Sequence, residues 1–326
     1  MRLELSRFRR RAAGALLAAL VLGSAFAPSA GAGNGGLEAG GAPGATAAAY
    51  AVGLRTFTFT DASRKLRLPG GASASRKLVT YVRYPALAAG GEGAAPAPGP
   101  FPLIVFAHGF DVGPGTYTHL LRTWAAAGYV VAAPVFPLTN ARAPGGADES
   151  DVVNQPADVS FVITQLLEAG ATPGPLQGLI DPARVAVAGH SDGAETALAV
   201  AYARRFRDPR VRAAVVLSGA EMSGIGGYAF APGGPALLAV QGTRDTFNAP
   251  RYTYAYFRAA MRPKYLLRLL GAGHLPPYTT EAARLAVVER VTLAFLDAYL
   301  KGSASALATI VPDGSIPGRE ALAAEP

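Results

Sequence analysis

The sequence predicts an α/β domain: a mostly parallel central sheet with helices on both faces and two antiparallel leading strands. Three observations carry this. Short, nearly continuous apolar runs recur from residue 102 onward: "PLIVFAH", "YVVAAPVF", "VAVAGH", "AAVVLSG", "ALLAVQG" and "YLLRLLG". Helix-length segments alternate with them, at about 116–127, 155–169, 193–206, 251–261 and 280–300. Strands buried on both faces read as unbroken apolar runs, because crossover helices cover each side of a parallel sheet. Ahead of them, "VGLRTFTFTD" (52–61) and "KLVTYVRYPA" (77–86) alternate bulky and polar residues, as half-buried strands do.

The flanks set the limits of this domain, which is expected over 50–302. "MRLELSRFRRR" is a basic leader, and the apolar run "AAGALLAALVLGSAFA" behind it is shorter than the roughly 20 residues a membrane span needs. Small residues follow up to "AGA" at Ala32, so residues 1–32 read as an export signal peptide and the mature chain as secreted or periplasmic, without stable membrane insertion. Residues 33–49 are low in complexity and read as a flexible linker. The last segment, 303–326, reads as a frayed tail.

Composition narrows the chemistry. Half of the 326 residues are hydrophobic, which suits a large core. The formal charge is +8, but five Arg against one Glu in the leader account for half of it. No basic run with interleaved aromatics follows, so nucleic acid is not an expected partner. Cysteine is absent, which excludes disulfides, a thiol nucleophile and thiolate metal sites. The four histidines make no pair at metal-ligand spacing, and no cofactor or metal is expected.

The segment "RVAVAGHSDGAETAL" (184–198) places Ser191 between Gly189 and Gly193. A strand-like run ends there and a helix-like one begins. A sharp turn of that kind displays the serine hydroxyl at the carboxyl end of the sheet, and glycines on either side remove Cβ atoms that would clash. A serine nucleophile needs a base. His190 adjoins Ser191 and should point away from it, His108 ends the first central strand, and His119 belongs to a helix. His274, in the loop "GAGHLPPY" after the last central strand, is the remaining choice. The acid that orients it should lie between serine and histidine: Asp245 in "GTRDTFNAP" fits, with Glu221 in "VVLSGAE" as its competitor. Asp208 in "FRDPR" reads as a surface residue ending a helix. An oxyanion would be met by the backbone amides of Asp192 and of Phe110 in "FAHGF".

The order "FAHGF", "GHSDG", "GTRD", "GAGH" resembles the serine α/β-hydrolase superfamily over about 50–302. With "YVRYPA" ahead of the first central strand, the chain is similar to the branch holding platelet-activating-factor acetylhydrolases, chlorophyllases and dienelactone hydrolases. Secreted cutinases and polyester hydrolases are similar too. The resemblance implies a triad on Ser191, Asp245 and His274, an acyl-enzyme mechanism, and oxyanion amides at Phe110 and Asp192. Only "AEMSGIGGYAFAPGGP" separates two central strands, so no large cap domain is expected and the site should be open. Tyr228, Phe230, Phe247 and Tyr278 are candidates for its apolar wall, and the 139–151 loop is a further candidate contact. The expected function is a secreted ester hydrolase acting on small or polymeric esters of short or medium chain length, most active from neutral to alkaline pH. Acyl transfer, thioester or peptide cleavage on the same triad, and a non-catalytic binding protein, are the alternatives.

Overall fold

The structure is a computed structural model and describes residues 49–326 apart from Pro69, Glu221 and Ser223. The expected signal peptide and nearly all of the linker lie outside the described residues. Two long strands come first, β1 (Ala51–Arg67) and β2 (Ser73–Ala86), paired antiparallel from Ala51↔Ala86 to Arg67↔Ser73. They extend well past the two alternating segments, because the chain reverses in the short Gly-containing turn at 68–72. A two-residue β3 (Gly91–Glu92) edges β1. The remaining strands are β4 (Phe101–Ala107), β5 (Val130–Val135), β6 (Ile180–His190), β7 (Val211–Leu217), β8 (Ala236–Gly242), β9 (Lys264–Leu269) and β10 (Glu320–Glu325). The helices are α1 (Thr118–Ala126), α2 (Gln155–Ala171), α3 (Asp192–Tyr202), α4 (Pro250–Ala259), α5 (Ala282–Lys301) and α6 (Ala304–Asp313).

The ten strands of the described residues join one sheet in the order β10-β9-β8-β7-β6-β4-β5-β2-β1-β3. Strands β4 to β9 are mutually parallel, while β2 meets β5 antiparallel. Alternate residues of each central strand feed opposite cores, as the pleat requires. Ile104, Phe106, Ala186 and Ala188 pack with Trp124 of α1 and Phe295 of α5. Leu103, Val105, Val185 and Val187 pack with Val159 of α2, Leu198 of α3 and Tyr256 of α4. The unbroken apolar runs thus reflect helices on both faces.

The order reverses at β4, whose chain runs next to β5 on one side and only later to β6 on the other. A crevice opens at the carboxyl ends of strands at such a switch point, and loops there are well placed to form a site.

One expectation is corrected. Residues 303–326 are not a frayed tail. Gly302, at φ 70°, ends α5, and Ser303 caps α6 by accepting from the Ala306 amide. Ile310 is fully buried, and β10 pairs antiparallel with β9 from Glu320↔Leu269 to Glu325↔Lys264. Backbone pairing along an otherwise open edge orders this segment, so its side chains need carry little hydrophobic signal.

A buried ion network ties the leading hairpin to the loops above the sheet. Arg76 of β2, 1% exposed, donates to both oxygens of Asp151 at 2.8 Å and to Asp158 at 2.9 and 2.6 Å. Arg64 of β1 pairs with Asp158 at 2.8 Å and with Asp61 at 2.6 Å. Burial works against the charge on Arg76, but its bonds to Asp151 and Asp158 more than offset this and raise its proton affinity. The acidic 148–158 stretch is therefore engaged within the molecule, from the start of α2 back to the hairpin. Arg76→Met should leave two buried carboxylates with one partner fewer and lower stability by about 3–5 kcal/mol in urea unfolding. An unchanged midpoint would show that the network adds nothing.

Candidate active site

β6 ends at His190, and Ser191 turns the chain into α3 with φ 57° and ψ −122°. A non-glycine residue held there carries about 1–3 kcal/mol of strain. Three backbone contacts hold it: the Ser191 amide donates to Leu217 O at 3.0 Å, and its carbonyl accepts from Ala194 and Glu195. The flanking glycines are required by close approach. A Cβ on Gly189 would lie 2.0 Å from the Gly193 carbonyl oxygen, and one on Gly193 would lie 2.0 Å from that of Ala107.

The adjacent parallel strands β8 and β9 deliver the next two groups. Asp245 follows β8 and His274 follows β9, and His274 Nδ1 bonds Asp245 Oδ2 at 2.7 Å. An ionised carboxylate only accepts, so Nδ1 carries a proton, and in the neutral ring Nε2 is then the lone-pair nitrogen. Asp245 is 5% exposed, and its Oδ1 also accepts from the amides of Phe247 and Asn248, each at 2.9 Å. Gln241 Nε2 adds a bond to Oδ2 at 3.1 Å. Burial alone would raise this carboxyl's pKa, but the bond and charge of His274, with the two amides, hold it below its ordinary value. Glu221, the competing acid, lies outside the described residues.

His190, the residue before Ser191, lies against His274. The His190 ring lies 4.6 Å, centroid to centroid, from that of His274 and bonds the His274 carbonyl through Nε2 at 3.0 Å. Among the described residues no hydrogen bond joins Ser191 Oγ to the His274 ring; such contacts commonly tighten once substrate is bound. The Ser191 hydroxyl is contacted instead by Asn248 Nδ2 at 3.3 Å, a residue absent from the sequence-based assignment.

The loop after β4 lies directly over the serine: a Cβ on Gly109 would sit 3.3 Å from Ser191 Cβ. Two buried histidines fix this loop. His108 Nδ1 meets the Gly109 carbonyl at 2.8 Å, and its Nε2 accepts from the Phe136 amide at 3.1 Å. Burial pushes its pKa down to about 4, so the ring is neutral, with its proton on Nδ1. The Gly109–Phe110 peptide is trans. Holding its carbonyl toward His108 therefore turns the Phe110 N–H the opposite way. Among the described residues no acceptor takes that N–H. Asp192 is the first residue of α3, where the helix dipole favours negative charge.

His190 is likewise neutral, pushed down to about 3 by burial and by the nearby His274. Its Nε2 must donate to the His274 carbonyl, so Nδ1 accepts from Tyr117 Oη at 2.8 Å. Tyr117 Oη in turn accepts from the Gly109 amide at 3.3 Å. One chain of bonds thus runs from the loop over the serine to the backbone of His274. Burial of His190 agrees with its expected direction away from Ser191, and His119 is exposed on α1.

The expected apolar wall is only partly present. Phe247 is 65% exposed and stacks on the His274 ring at 5.2 Å. Tyr278 is instead fully buried, with its hydroxyl on Ser218 Oγ at 2.8 Å, and belongs to the core. Phe230 packs against Tyr202, the last residue of α3, with ring centroids 4.8 Å apart; the 11-residue helix puts that end about 16 Å from Ser191. Tyr228 lies along α3, giving its hydroxyl to Glu195 Oε2 at 2.6 Å. Burial raises the Glu195 carboxyl to about 8. Asp208 is also corrected: it is 5% exposed and pairs with Arg210 at 2.6 Å.

The family model for chlorophyllase matches residues 94–217. No curated protein matches the chain. Among solved structures, a ferulic acid esterase from Streptomyces cinnamoneus is similar, with a TM-score of 0.61 and 24% identity over 78% of this chain and 91% of that one. The chain shares that structure's fold, an α/β-hydrolase fold with a mostly parallel sheet. Because backbone atoms occupy the space beside Gly193, Gly193→Ala should cost about 3 kcal/mol or more in thermal unfolding. A native melting temperature in that variant would contradict the close approach described here.

Proposed function

We propose that this chain is a secreted serine hydrolase that cleaves carboxylic esters through an acyl-enzyme. The observation that carries the reading is the Asp245–His274 bond of 2.7 Å, together with a serine held at φ 57° in the tight turn from β6 into α3. Ser191 is the nucleophile. His274 Nε2 takes its proton as the hydroxyl attacks the ester carbonyl, and Asp245 holds the ring in the tautomer that leaves Nε2 unprotonated. The developing oxyanion is received by the amides of Phe110 and Asp192. His274 then protonates the departing alcohol, and a water activated by the same ring releases the acid.

Residues 218–235, the whole connection from β7 to β8, are too few for a cap domain, which favours an open site. The exposed Phe247 ring beside His274 offers a flat apolar shelf, suited to aromatic or aliphatic groups of short- and medium-chain esters and to polyester segments. The likeness to a ferulic acid esterase adds weight to an aromatic acyl group. Export rests on the leader, residues 1–32.

Ser191→Ala should abolish turnover of p-nitrophenyl esters, by roughly 10⁴-fold or more, while the melting curve stays native. Substantial activity in that variant would remove Ser191 from the mechanism. The pH profile has a definite sign. A protonated His274 cannot accept the serine proton, so kcat/KM should fall on acidification through one limb. Asp245 stays ionised well into that limb because its carboxyl is depressed. A rate that is flat from about pH 5 to 9 would exclude a histidine base.

A further inference from the structure

Asn248 lies three residues beyond Asp245, in the loop leading to α4, and is 5% exposed. Its backbone is fixed at both ends: the amide donates to Asp245 Oδ1 at 2.9 Å, and the carbonyl accepts from Gln241 Nε2 at 3.3 Å. Its side-chain nitrogen donates to the Ser218 carbonyl at 2.8 Å. A carbonyl only accepts, so the orientation of the Asn248 amide is settled by this bond. The same nitrogen lies 3.3 Å from Ser191 Oγ, with its second hydrogen available for that oxygen.

We propose that Asn248 is a further catalytic residue, a hydrogen-bond donor to the nucleophilic oxygen itself. The proposal rests on Ser191 being the nucleophile. Donation from Asn248 occupies a lone pair of Oγ and leaves the hydroxyl proton available to His274. As the O–H bond breaks and the bond from Oγ to the acyl carbon forms, negative charge passes through Oγ on its way to the carbonyl oxygen. In the second half-reaction water adds to the acyl carbon, giving its proton to His274; the bond to Oγ then breaks, and Oγ takes that proton back. Charge returns to Oγ in this step as well. A hydrogen bond to a charged acceptor is stronger than one to a neutral hydroxyl, so Asn248 favours both transition states over the ground states. It is distinct from the two oxyanion amides, which meet the carbonyl oxygen.

Single-turnover acylation by p-nitrophenyl acetate, followed by stopped flow, tests this in Asn248→Ala and Asn248→Asp. The Ala variant should acylate about 10- to 100-fold more slowly, with its acid limb at the wild-type pH and a single cooperative melting transition. The Asp variant keeps the shape but sets a negative charge against Oγ, so it should be slower still. Reaction with a fluorophosphonate, which needs the same oxygen, should slow in the same order. Wild-type acylation in Asn248→Ala would overturn the proposal. An acid limb displaced in step with the rate would also overturn it, by placing the effect on the Asp245–His274 pair. An Asp variant as fast as wild type would show that Asn248 only fills space. If Ser191→Ala kept its turnover, the nucleophile assignment would fail, whatever Asn248 did.

Discussion

The carbonyl oxygen of Ala107, at the end of β4, occupies the space into which any side chain at residue 193 would grow. The carbonyl of Gly193 does the same above Gly189. Strand β4, strand β6 and the first turn of α3 are thereby stacked backbone on backbone. This contact puts the loop after β4 over Ser191 and drives the serine into a conformation that L residues rarely adopt. It also brings Gly109, next to Phe110, close to Ser191 at the start of α3. Each later feature of the site, from the Asp245–His274 pair to the contact from Asn248, is built around that fixed point.

Much of this was legible because it is written in periodicity and punctuation. The six apolar runs correspond to β4 through β9, and the expected helices to α1 through α5, since burial on two faces forces a recognisable pattern. The Asp245–His274 bond and the strained turn at Ser191 were legible because glycine, strand end and chain order restrict where such residues can sit. The C-terminal segment was not legible. Its order comes from main-chain pairing along β9, which is nearly independent of side-chain identity, and Ala-rich residues such as 321–324 carry no strand signal of their own. Tyr278, Phe230 and Tyr228 illustrate a second limit. An aromatic residue in a loop near the carboxyl edge can face the site or the core, and only packing decides. Asn248 illustrates a third: an amide that bridges two elements at a single atom leaves no trace in spacing.

The leading hairpin and the loops above the sheet form a second tier of organisation. Arg76 reaches from β2 to Asp151 and Asp158, while Thr196 of α3 donates to Gln155 and Gln155 donates to Thr139. Side-chain polar groups here replace the apolar contacts that join sheet and helices below. Buried polar networks of this kind fix geometry as much as they stabilise it. They tie the 139–158 segment to β2 and α3.

The two neutral imidazoles beneath the crevice also bear on acid tolerance. His108 and His190 take up a second proton only below about 4 and about 3 in the folded chain, against 6.5 for a free ring. The unfolded chain therefore binds more protons than the native one from near 6.5 downward, and the balance tips steadily against the native state as the medium is acidified through that interval. Resistance to souring is thus limited by scaffold rings sealed away from solvent, independently of the imidazole that would do the chemistry.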